Sequence, residues 1–501
     1  MMEVILAGCN VDYGAISDFA TGRLKGEQLT PETIAAAYAR ISRDDRRVDE
    51  LRALARQEVE KARQSNRNIV FGMGHNSIAE HAVFNFDILN VSRLFVEVLE
   101  RSRLASYTEK SQRYVLLQDD FVVPPEVREA GLESVFRDAV GEQNDLYHRL
   151  YTRLRSYVFK EHSELARDQA NNTLLEGWAK EDARYVIALA TETQLGMTVN
   201  ARSLERMIRH LAASSLSEAR DCGRRLYEVA VRIAPSLVRY VEPQDYDRLV
   251  SEALAETMVR LRTQTGDIPE REHGGAIAAA EEVKLLGATA DADDRVVAAL
   301  LHSADDLSWE DCRGIVAKMD VKEKAEVIKT VCRHMQVYDS VRREFENVAL
   351  HFELEISASC FAQLKRHRMA TITCQEYNPI LGFTVPQAIC EVGMEQDFRE
   401  TMARTEAVYY RIKKVVPTAA AYILTNAHRR RVGMKINARE LYHIARLRTD
   451  QHAQWDIRNI ADKMMALGRE VMPLTLMLAA GKDNFPSLVA RIYPTSAGSS
   501  R

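Results

Sequence analysis

Two stretches of the chain alternate between apolar and polar residues. Their apolar positions are Val83, Phe84, Phe86 and Ile88 in the first stretch and Leu350, Phe352, Leu354 and Ile356 in the second. Because successive side chains of a strand point to opposite faces, this period of two predicts two half-buried strands. Each strand leads into a helical pattern, which covers residues 93–101 in the first case, and then into a cluster of arginines.

A longer amphipathic pattern covers residues 457–478. Its apolar positions, which include Met464 and Met465, follow the spacing of a helix, and the pattern ends near Pro473 because proline cannot continue a helix. The two methionines are interpreted as core residues. Helical patterns predominate over strand patterns, so the predicted fold class is α+β, with a mixed sheet flanked by long helices that occurs twice.

One short segment occurs in both halves of the chain. Residues 196–204 read GMTVNARSL and residues 433–441 read GMKINAREL, so six of the nine positions are identical. The strand, the helix and the arginine cluster precede this segment in the same order each time. We therefore predict domains over residues 1–245 and 276–501, which form an intramolecular pseudo-dimer, with a charged, glycine-containing linker over residues 246–275.

The charge balance and the cysteines exclude several classes of function. The 501 residues contain 68 Lys and Arg against 72 Asp and Glu, and this balance attracts neither nucleic acid polymers nor anionic membranes. Seven cysteines without a CxxC pair argue against a disulfide framework and against a zinc ribbon, and no metal site is predicted. Since the chain shows no signal peptide and no long apolar stretch, we expect a cytoplasmic protein.

The sequence contains no P-loop and no dinucleotide-binding glycine motif, so anions must be held by side chains. The densest group of suitable side chains lies in residues 101–114, RSRLASYTEKSQRY, at the predicted end of a helix. Arginine guanidiniums and serine hydroxyls can bind a phosphate together. A solvated charged loop accounts for the same composition, so both interpretations stay open on the residues alone.

Residues 437–448 form a helical pattern with one cationic side. Asn437 and Arg448 lie eleven residues apart, about three turns, and share a face. Arg439 and His443 lie on an adjacent stripe at a spacing of four residues. The opposite flank is expected to pack through Leu441, Ile444 and Leu447. This edge of the helix could face a ligand or solvent.

The end of the preceding helical pattern also places polar residues together. Gln363, Arg366 and His367 have the spacing i, i+3, i+4 and should converge on one point. The alternative is that the positive charge serves the helix dipole, which favours cations at the carboxyl end of a helix.

Four motifs in the expected order resemble those of the flavin-dependent thymidylate synthases. Residues 101–113 resemble the signature RHRxxSxxxxSxR, with Ser102 in place of the histidine, and residues 74–81 resemble GHxSxxEH. Residues 181–185, EDARY, are similar to the family's AR segment, and residues 437–458 to its C-terminal helix. The resemblance spans most of both halves and implies FAD as cofactor, with NADPH and 5,10-methylenetetrahydrofolate as co-substrates and dUMP as substrate.

The resemblance also implies roles for individual residues. Catalytic roles fall to Arg448 and His75. The residues implied in dUMP binding are Glu109, Ser111, Arg113, Arg184, Gln363, Arg366 and Arg448. The residues implied in FAD binding are Ser77, Glu80, Asn200, Arg202, Arg366, His367, Arg368, Asn437, Arg439 and His443.

The two halves lack different members of this set. The first half has Val98, Ser102 and Leu211 where the second has Gln363, His367 and Arg448. The second half has Ala421 in place of Arg184 and a loop about two residues shorter, with Glu376 in place of Arg113; His75 is matched there by Ser340 or a neighbour. Since family members are homotetramers with sites at subunit interfaces, we predict one composite active site from both halves, in a homodimer that is equivalent to a tetramer.

Two alternatives remain at the level of sequence. The same flavin and folate chemistry could modify another pyrimidine nucleotide, or add a hydroxymethyl group in place of a methyl group. The chain could also be an inactive flavin- or nucleotide-binding regulatory protein in which the losses reflect lost catalysis.

Overall fold

The computed structural model describes residues 1–265 and 282–494. Contacts divide these residues into two units: the first unit contains residues 1–265 and Gln387–Thr425, and the second unit contains residues 282–386 and 426–494. The segment Gln387–Thr425, which follows the predicted linker in sequence, thus packs with the first unit. Of the predicted linker, residues 246–265 belong to a helix and residues 266–275 lie outside the described residues.

Eight strands and twenty-one α-helices are present in the described ranges. The strands are β1 (Glu3–Cys9), β2 (Val83–Ser92), β3 (Ala105–Glu109), β4 (Glu192–Asn200), β5 (Val283–Ala288), β6 (Ala349–Ser357), β7 (Thr371–Cys374) and β8 (Arg429–Asn437). The helices are α1 (Tyr13–Ala20), α2 (Glu32–Arg40), α3 (Val48–Gln57), α4 (Val59–Asn66), α5 (Arg93–Leu99), α6 (Pro125–Glu129), α7 (Glu133–Glu161), α8 (Ser163–Ala166), α9 (Asn172–Ala183), α10 (Ala201–Ala212), α11 (Ser217–Ile233), α12 (Asp245–Thr265), α13 (Ala292–His302), α14 (Trp309–Val316), α15 (Val321–Cys332), α16 (Ala358–Leu364), α17 (Gln387–Glu391), α18 (Glu395–Val415), α19 (Ala438–Arg448), α20 (Trp455–Val471) and α21 (Phe485–Ile492).

Each unit contains one four-stranded antiparallel sheet, and the two sheets have the same strand order. The order is β1-β2-β4-β3 in the first unit and β5-β6-β8-β7 in the second. The central pairs have matching registers, with Phe86 opposite Met197 and Phe352 opposite Met434. All four of these side chains are buried, so each sheet turns an apolar face toward the core of its own unit. The α+β fold class that the sequence predicts is confirmed, but all the strand pairs in the described residues are antiparallel, so the sheets are not mixed as predicted.

Most of the predicted elements occur where the hydrophobic pattern places them. Strands β2 and β6 contain the two alternating stretches, and α20 ends at Val471, before Pro473. Met464 and Met465 are buried, as expected for core residues. None of the helices in the described ranges has both the length and the apolar character needed to cross a membrane.

Two details of the predicted elements are wrong. Residues 101–114 do not form a continuous loop, because β3 pairs with β4 over Ala105–Glu109. Strand β3 is an edge strand of the sheet. Leu447 is 45% exposed and does not pack with Leu441 and Ile444, which are fully buried. Six residues beyond Leu441, the helix has rotated by about 240°, which carries Leu447 to the solvent side.

A serine bonded to a buried carboxylate begins the helix that follows the central strand in both units. In the first unit, Ser92 Oγ accepts from Phe95 N at 3.0 Å and donates to Glu218 Oε2 at 2.6 Å. In the second unit, Ser357 Oγ accepts from Cys360 N at 2.9 Å and donates to Asp456 Oδ2 at 2.5 Å. Each serine satisfies an N–H group of the first helical turn that would otherwise have no partner.

Replacing Ser92 by alanine should destabilise the protein by about 2–4 kcal/mol, because the variant loses a helix cap and leaves a hydrogen bond of the buried Glu218 unmade. Glu218 keeps its bond from the Tyr422 hydroxyl at 2.7 Å, so the variant should still fold. Urea unfolding measures the effect. The control is Ser308→Ala, which removes an exposed cap of α14 and should cost only about 1 kcal/mol; equal losses in the two variants would contradict the prediction.

Candidate functional site

The pairing of the strands shows which residues of the two halves correspond. Gly196 and Gly433 occupy the same place in the repeated segment, and they lie opposite Thr108 and Thr373. Glu109 therefore corresponds to Cys374. The next residues correspond as well, because Lys110 N donates to Gln194 O and Gln375 N donates to Arg431 O. From Ser92 to Lys110 and from Ser357 to Gln375 the two halves have the same length, so no residue is missing from the second half between the serine cap and this point.

The loop of the second half is shorter beyond these paired residues. Isolated bridges join Phe121 to Thr191 and Phe383 to His428. Phe121 lies eleven positions after Lys110, but Phe383 lies only eight positions after Gln375. The loop is thus three residues shorter, and not two as the sequence comparison suggested. The match of Glu376 with Arg113 falls inside the unpaired part and stays a prediction.

The two serine caps align the helices in the same way. Counting from Ser92 in the first half and from Ser357 in the second shows that Val98 corresponds to Gln363. By the same count Ser102 corresponds to His367, as the sequence comparison proposed. One extra residue in the first half lies before the cap, where β2 bulges between Ile88 and Val91 and Asn90 has a φ of 57°.

The residue of the second half that corresponds to His75 is Val341. This follows from the equivalent pairings of Val83 with Asn200 and of Ala349 with Asn437. The same count matches Glu80 with Glu346. Each glutamate forms an ion pair with the arginine of the repeated segment in its own half, at 2.5 Å to Arg202 and 2.8 Å to Arg439.

Several residues predicted to bind FAD make structural contacts within their own units. Asn200 and Asn437 cap α10 and α19 by accepting from the N–H groups of Ser203 and Glu440 at 2.9 and 2.8 Å. Arg439 also donates to the carbonyl of Val341 at 3.0 Å. The asparagines thus join the strand to the helix in both halves, and the arginines join the helix to the segment before the central strand.

The remaining residues of the first half's GHxSxxEH element lie on the surface. His75, Ser77 and Glu80 are exposed, in and next to a short 3₁₀-helix over Asn76–His81. Nε2 of His75 lies 3.2 Å from Nη2 of Arg43. Because an arginine can only donate, His75 Nε2 is the acceptor in this contact.

A group of polar residues, which we call the first arm, surrounds the end of β3 in the first unit. It consists of Glu109, Ser111, Arg113 and Arg184. Arg113 Nη2 lies 3.2 Å from Glu181 Oε2, and Arg184 Nε donates to the carbonyl of Glu181 at 3.3 Å. Ser111 Oγ accepts from Arg113 N at 3.2 Å. Glu181 thus brings the two arginines together.

The first arm is suited to an anionic ligand. Arg184 is almost fully buried, and burial lowers the pKa of its guanidinium although Glu181 opposes this shift. The Nε–H of Arg113 is buried and has no hydrogen-bond partner among the described residues. The Arg113 side chain as a whole is 22% exposed, so a ligand can contact it beside the buried Arg184.

A second group, which we call the second arm, is centred on Arg448 at the end of α19. It consists of Gln363, Arg366, His367, Arg368 and Arg448. Arg448 donates from Nε to His367 Nε2 at 3.1 Å and from Nη2 to the carbonyl of Gln363 at 3.3 Å. The predicted convergence holds for Gln363 and His367, which both contact Arg448, whereas Arg366 and Arg368 have exposed side chains.

Two residues outside the predicted set hold the second arm in place. Glu440 Oε1 lies 3.3 Å from His367 Nδ1, and Gln454 Oε1 accepts from Gln363 Nε2 at 3.3 Å. Gln454 also caps α20 by accepting from the N–H groups of Asp456 and Ile457. Neither residue could be found from the sequence, because glutamine is not among the usual helix caps and Glu440 lies inside a helical pattern.

His367 is neutral in this arrangement. Burial lowers the pKa of its imidazole below the ordinary value of 6.5, the charge of Arg448 acts in the same direction, and Glu440 opposes them. The contacts assign the tautomer: Nδ1–H donates to Glu440, and the lone pair of Nε2 accepts from Arg448. The chain Glu440–His367–Arg448 therefore fixes the guanidinium.

The lowered pKa of His367 predicts a pH-dependent stability. Below pH 6.5 the unfolded chain binds a proton at this residue that the folded chain does not bind, so stability falls as the pH falls. The free energy of unfolding should decrease less between pH 7.5 and 5.5 in His367→Gln than in the wild type, by up to about 1.4 kcal/mol per pH unit. Urea unfolding at both pH values checks this, and equal slopes would contradict it.

One group of side chains in the second unit has the spacing of metal ligands. It consists of His367, Glu440 and His443, whose ligand atoms all lie within 4.8 Å of one another, and it is one of two such groups in the described residues. His443 is exposed, and its ring lies 5.6 Å from that of His367. Arg448 donates a hydrogen bond to His367, so its positive charge lies next to this group. This charge disfavours the binding of a metal cation there.

The family comparison matches both halves of the chain. The model of the Thy1 family, described as thymidylate synthase complementing protein, covers residues 24–236 and 284–474. A UPF0159 protein of Chlamydia muridarum is 25% identical over 419 residues, which are 81% of this chain and 78% of that protein. The UPF0159 protein Ta1429 of Thermoplasma acidophilum is also 25% identical, over 451 residues.

Flavin-dependent thymidylate synthases match a shorter part of the chain at higher identity. That of Clostridium tetani is 32% identical over 217 residues, 42% of this chain and 83% of that enzyme. Among solved structures, a UMP/dUMP methylase PolB from Streptomyces cacaoi, bound with 5-Br dUMP, aligns with 41% of this chain at 18% identity and a TM-score of 0.34, too low to support an argument. With the family model matched in both halves, the chain belongs to the Thy1 family, the family of the flavin-dependent thymidylate synthases.

Proposed function

We propose that this chain is a flavin-dependent thymidylate synthase, which methylates dUMP reductively to dTMP with 5,10-methylenetetrahydrofolate as carbon donor and NADPH as reductant. The observation that carries the proposal is the survival of one complete set of family residues, divided between the halves. The first half keeps the first arm, where the second half has Cys374 and Ala421. The second half keeps the second arm, where the first half has Val98, Ser102 and Leu211.

The two arms are proposed to bind one nucleotide together. Random decay of an inactive chain would not be expected to remove complementary members and leave one full complement. The proposal extends to a homodimer with two such sites. It leaves open whether both arms of a site come from one chain or from two.

The residues of the second arm fit the flavin that the family implies. Arg366 and Arg368 are exposed and carry guanidiniums that can bind the diphosphate of FAD in pairs of hydrogen bonds, and His443 is exposed on the neighbouring helix. Arg202, Asn437 and Arg439 would support the cofactor indirectly, through the contacts that join strand and helix. When bound, FAD would supply the hydride for the reduction.

The side chains of the two arms have separate tasks in the proposed reaction. Arg113 and Arg184 would neutralise the phosphate of dUMP. Gln363 and Arg448 would lie beside the uracil ring. There the guanidinium of Arg448, already oriented by His367, would stabilise negative charge that develops on the ring during transfer of the carbon unit.

Binding both reactants in fixed positions would supply much of the acceleration, because it removes the entropy cost of bringing them together. Seven cysteines are present, but the proposal gives none of them the role of nucleophile. Cys360 and Cys222 are buried, and burial raises the pKa of both thiols, which disfavours the reactive thiolate. His75 is proposed to assist near the flavin and the folate.

The decisive experiment is release of tritium from [5-³H]dUMP by the purified, flavin-loaded protein. Release that requires both NADPH and methylenetetrahydrofolate would support the proposal. Protein that binds flavin and releases no tritium from dUMP, but methylates another pyrimidine nucleotide, would replace dUMP as the substrate. A flavin-binding protein inert toward all pyrimidine nucleotides would contradict enzymatic activity and favour a regulatory role.

A further inference from the structure

We propose that Arg93, at the start of α5, is a positioning residue that holds the carboxylate of Glu109 and thereby orders the first arm for nucleotide binding. This inference rests on the proposed function. It adds a residue that lies outside the family motifs quoted above and does not itself contact the nucleotide.

The contact between Arg93 and Glu109 is close and buried. Nη1 of Arg93 lies 2.5 Å from both carboxylate oxygens of Glu109, and the two side chains are 6% and 2% exposed. Thr193 Oγ1 donates to the same carboxylate at 3.4 Å. The main chain is fixed on both sides of the pair, since Arg93 N donates to Thr191 O and Lys110 N donates to Gln194 O. Strand β4 and the residue that precedes it thus hold both ends.

The electrostatic environment keeps Arg93 charged. Burial alone would lower the pKa of Arg93, but Glu109 outweighs this effect and raises the pKa above its ordinary value, with smaller contributions from Glu97 and Glu100. Arg184 is close enough that the positive charge of Arg93 lowers the pKa of Arg184. A buried pair of this kind is maintained only while both partners are present, because removal of one leaves an uncompensated charge.

The second half has lost both members of the pair together. Counting from the serine caps shows that Ala358 corresponds to Arg93. The strand register shows that Cys374 corresponds to Glu109. The half without the first arm is therefore also the half without the pair. A purely structural ion pair at the sheet edge would be expected in both units, because both have the same sheet order.

The second unit fixes the same edge by a different contact. Arg430, which corresponds to Thr193, is buried and donates from Nε to the carbonyl of Gln375 at 2.8 Å. Its guanidinium lies over the rings of Phe361 and Tyr377, at 4.7 and 4.3 Å from their centroids. A sheet edge of this type can thus be held without a buried carboxylate. The ion pair between Arg93 and Glu109 is therefore not needed to fix the sheet edge. We attribute its presence to the need to position Ser111 and Arg113, which follow Glu109 in the first arm.

Glu109 stands two residues before Ser111 and four before Arg113, so a shift of its side chain moves the start of the first arm. A misplacement of about 1 Å in a binding group can cost on the order of a hundredfold in rate. The expected consequence of losing Arg93 is weaker nucleotide binding in a protein that remains folded.

The test is the dissociation constant for dUMP, measured by calorimetry on the full flavin-loaded chain at pH 6, 7 and 8. Arg93→Ala should weaken binding by at least about tenfold. The loss should be largest at pH 8, where the carboxylate left without its cation is ionised and repels the anionic nucleotide, and smaller at pH 6, where such a buried carboxylate takes up a proton more readily. Arg93→Lys, which restores the charge, should recover part of the loss. Circular dichroism and thermal unfolding establish that each variant is folded.

The matched control is Arg404→Ala, which removes an exposed ion pair with Glu142 from the same unit and should leave dUMP binding unchanged. If Arg93→Ala does not fold, Arg93→Gln replaces it. A folded variant with wild-type affinity at all three pH values, or a loss that is independent of pH and unaffected by lysine, would overturn the inference. A wild-type protein that does not bind dUMP would instead overturn the proposed function.

Discussion

Replacing Arg448 by alanine is expected to reduce kcat/KM for dUMP by about a thousandfold or more, because it removes the charge proposed to stabilise the reacting uracil. The variant also frees Nε2 of His367 and the carbonyl of Gln363 from their present donor. Tritium release from [5-³H]dUMP measures the activity, and calorimetry measures the affinity for dUMP.

The control is Arg333→Ala, which removes the same charge from an exposed position of the same unit and should leave activity unchanged. Absorbance of the bound flavin should be retained in Arg448→Ala if the loss concerns the nucleotide alone. Normal dUMP affinity together with normal turnover in Arg448→Ala would remove the second arm from the proposed site.

Replacing Arg113 by alanine is expected to weaken dUMP binding by about a hundredfold or more, since it removes a guanidinium that can make charge-assisted hydrogen bonds to the phosphate. The loss should fall mainly on KM and should be smaller for the nucleoside deoxyuridine, which has no phosphate. Arg153→Ala, an exposed arginine of the same unit, is the control. Equal effects on dUMP and deoxyuridine would contradict a role at the phosphate.

Mixing the two variants, at a dUMP concentration far below the KM of Arg113→Ala so that neither variant alone is active, tests how the arms are combined. If both arms of a site come from one chain, a mixture of Arg113→Ala and Arg448→Ala stays inactive after subunit exchange. If they come from two chains, hybrid dimers contain one intact site and activity reappears. Recovery or its absence would decide between these two arrangements, and both are compatible with the proposed function.

The sequence predicts those parts of the fold that a periodic pattern encodes. The strands around Phe86 and Phe352 and the helix that ends before Pro473 follow from apolar spacing, because these elements bury one face. Strand β3 was missed because its residues, ASYTE, are mostly polar and lie on a sheet edge, where pairing with β4 and not burial defines the strand. Leu447 was misplaced because an apolar residue need not face the core.

Some residues of the candidate site could likewise be predicted from the sequence, and others could not. Gln363, His367 and Arg448 could be grouped from sequence because helical spacing and the family motifs agree, and the structure places them in contact within the second unit. Arg93 could not be found from the sequence, since it is the first residue of an apolar helix. Its role depends on contact with Glu109, which the pairing of β3 with β4 brings next to it. Such contacts between distant residues leave no local pattern in a single sequence.

The placement of α18 affects how the chain can be divided. Helix α18 lies 130 residues beyond the end of α12 in sequence, yet it packs on α7 of the first unit, where Gln143 Nε2 donates to Thr405 Oγ1 at 2.8 Å and Arg149 pairs with Asp397 at 3.0 Å. A fragment that ends at residue 265 would therefore lack one of its own core helices and expose the apolar side of α7. A cut between residues 265 and 282 would leave two pieces that stay associated, so cleavage there would be visible under denaturing conditions and not under native ones.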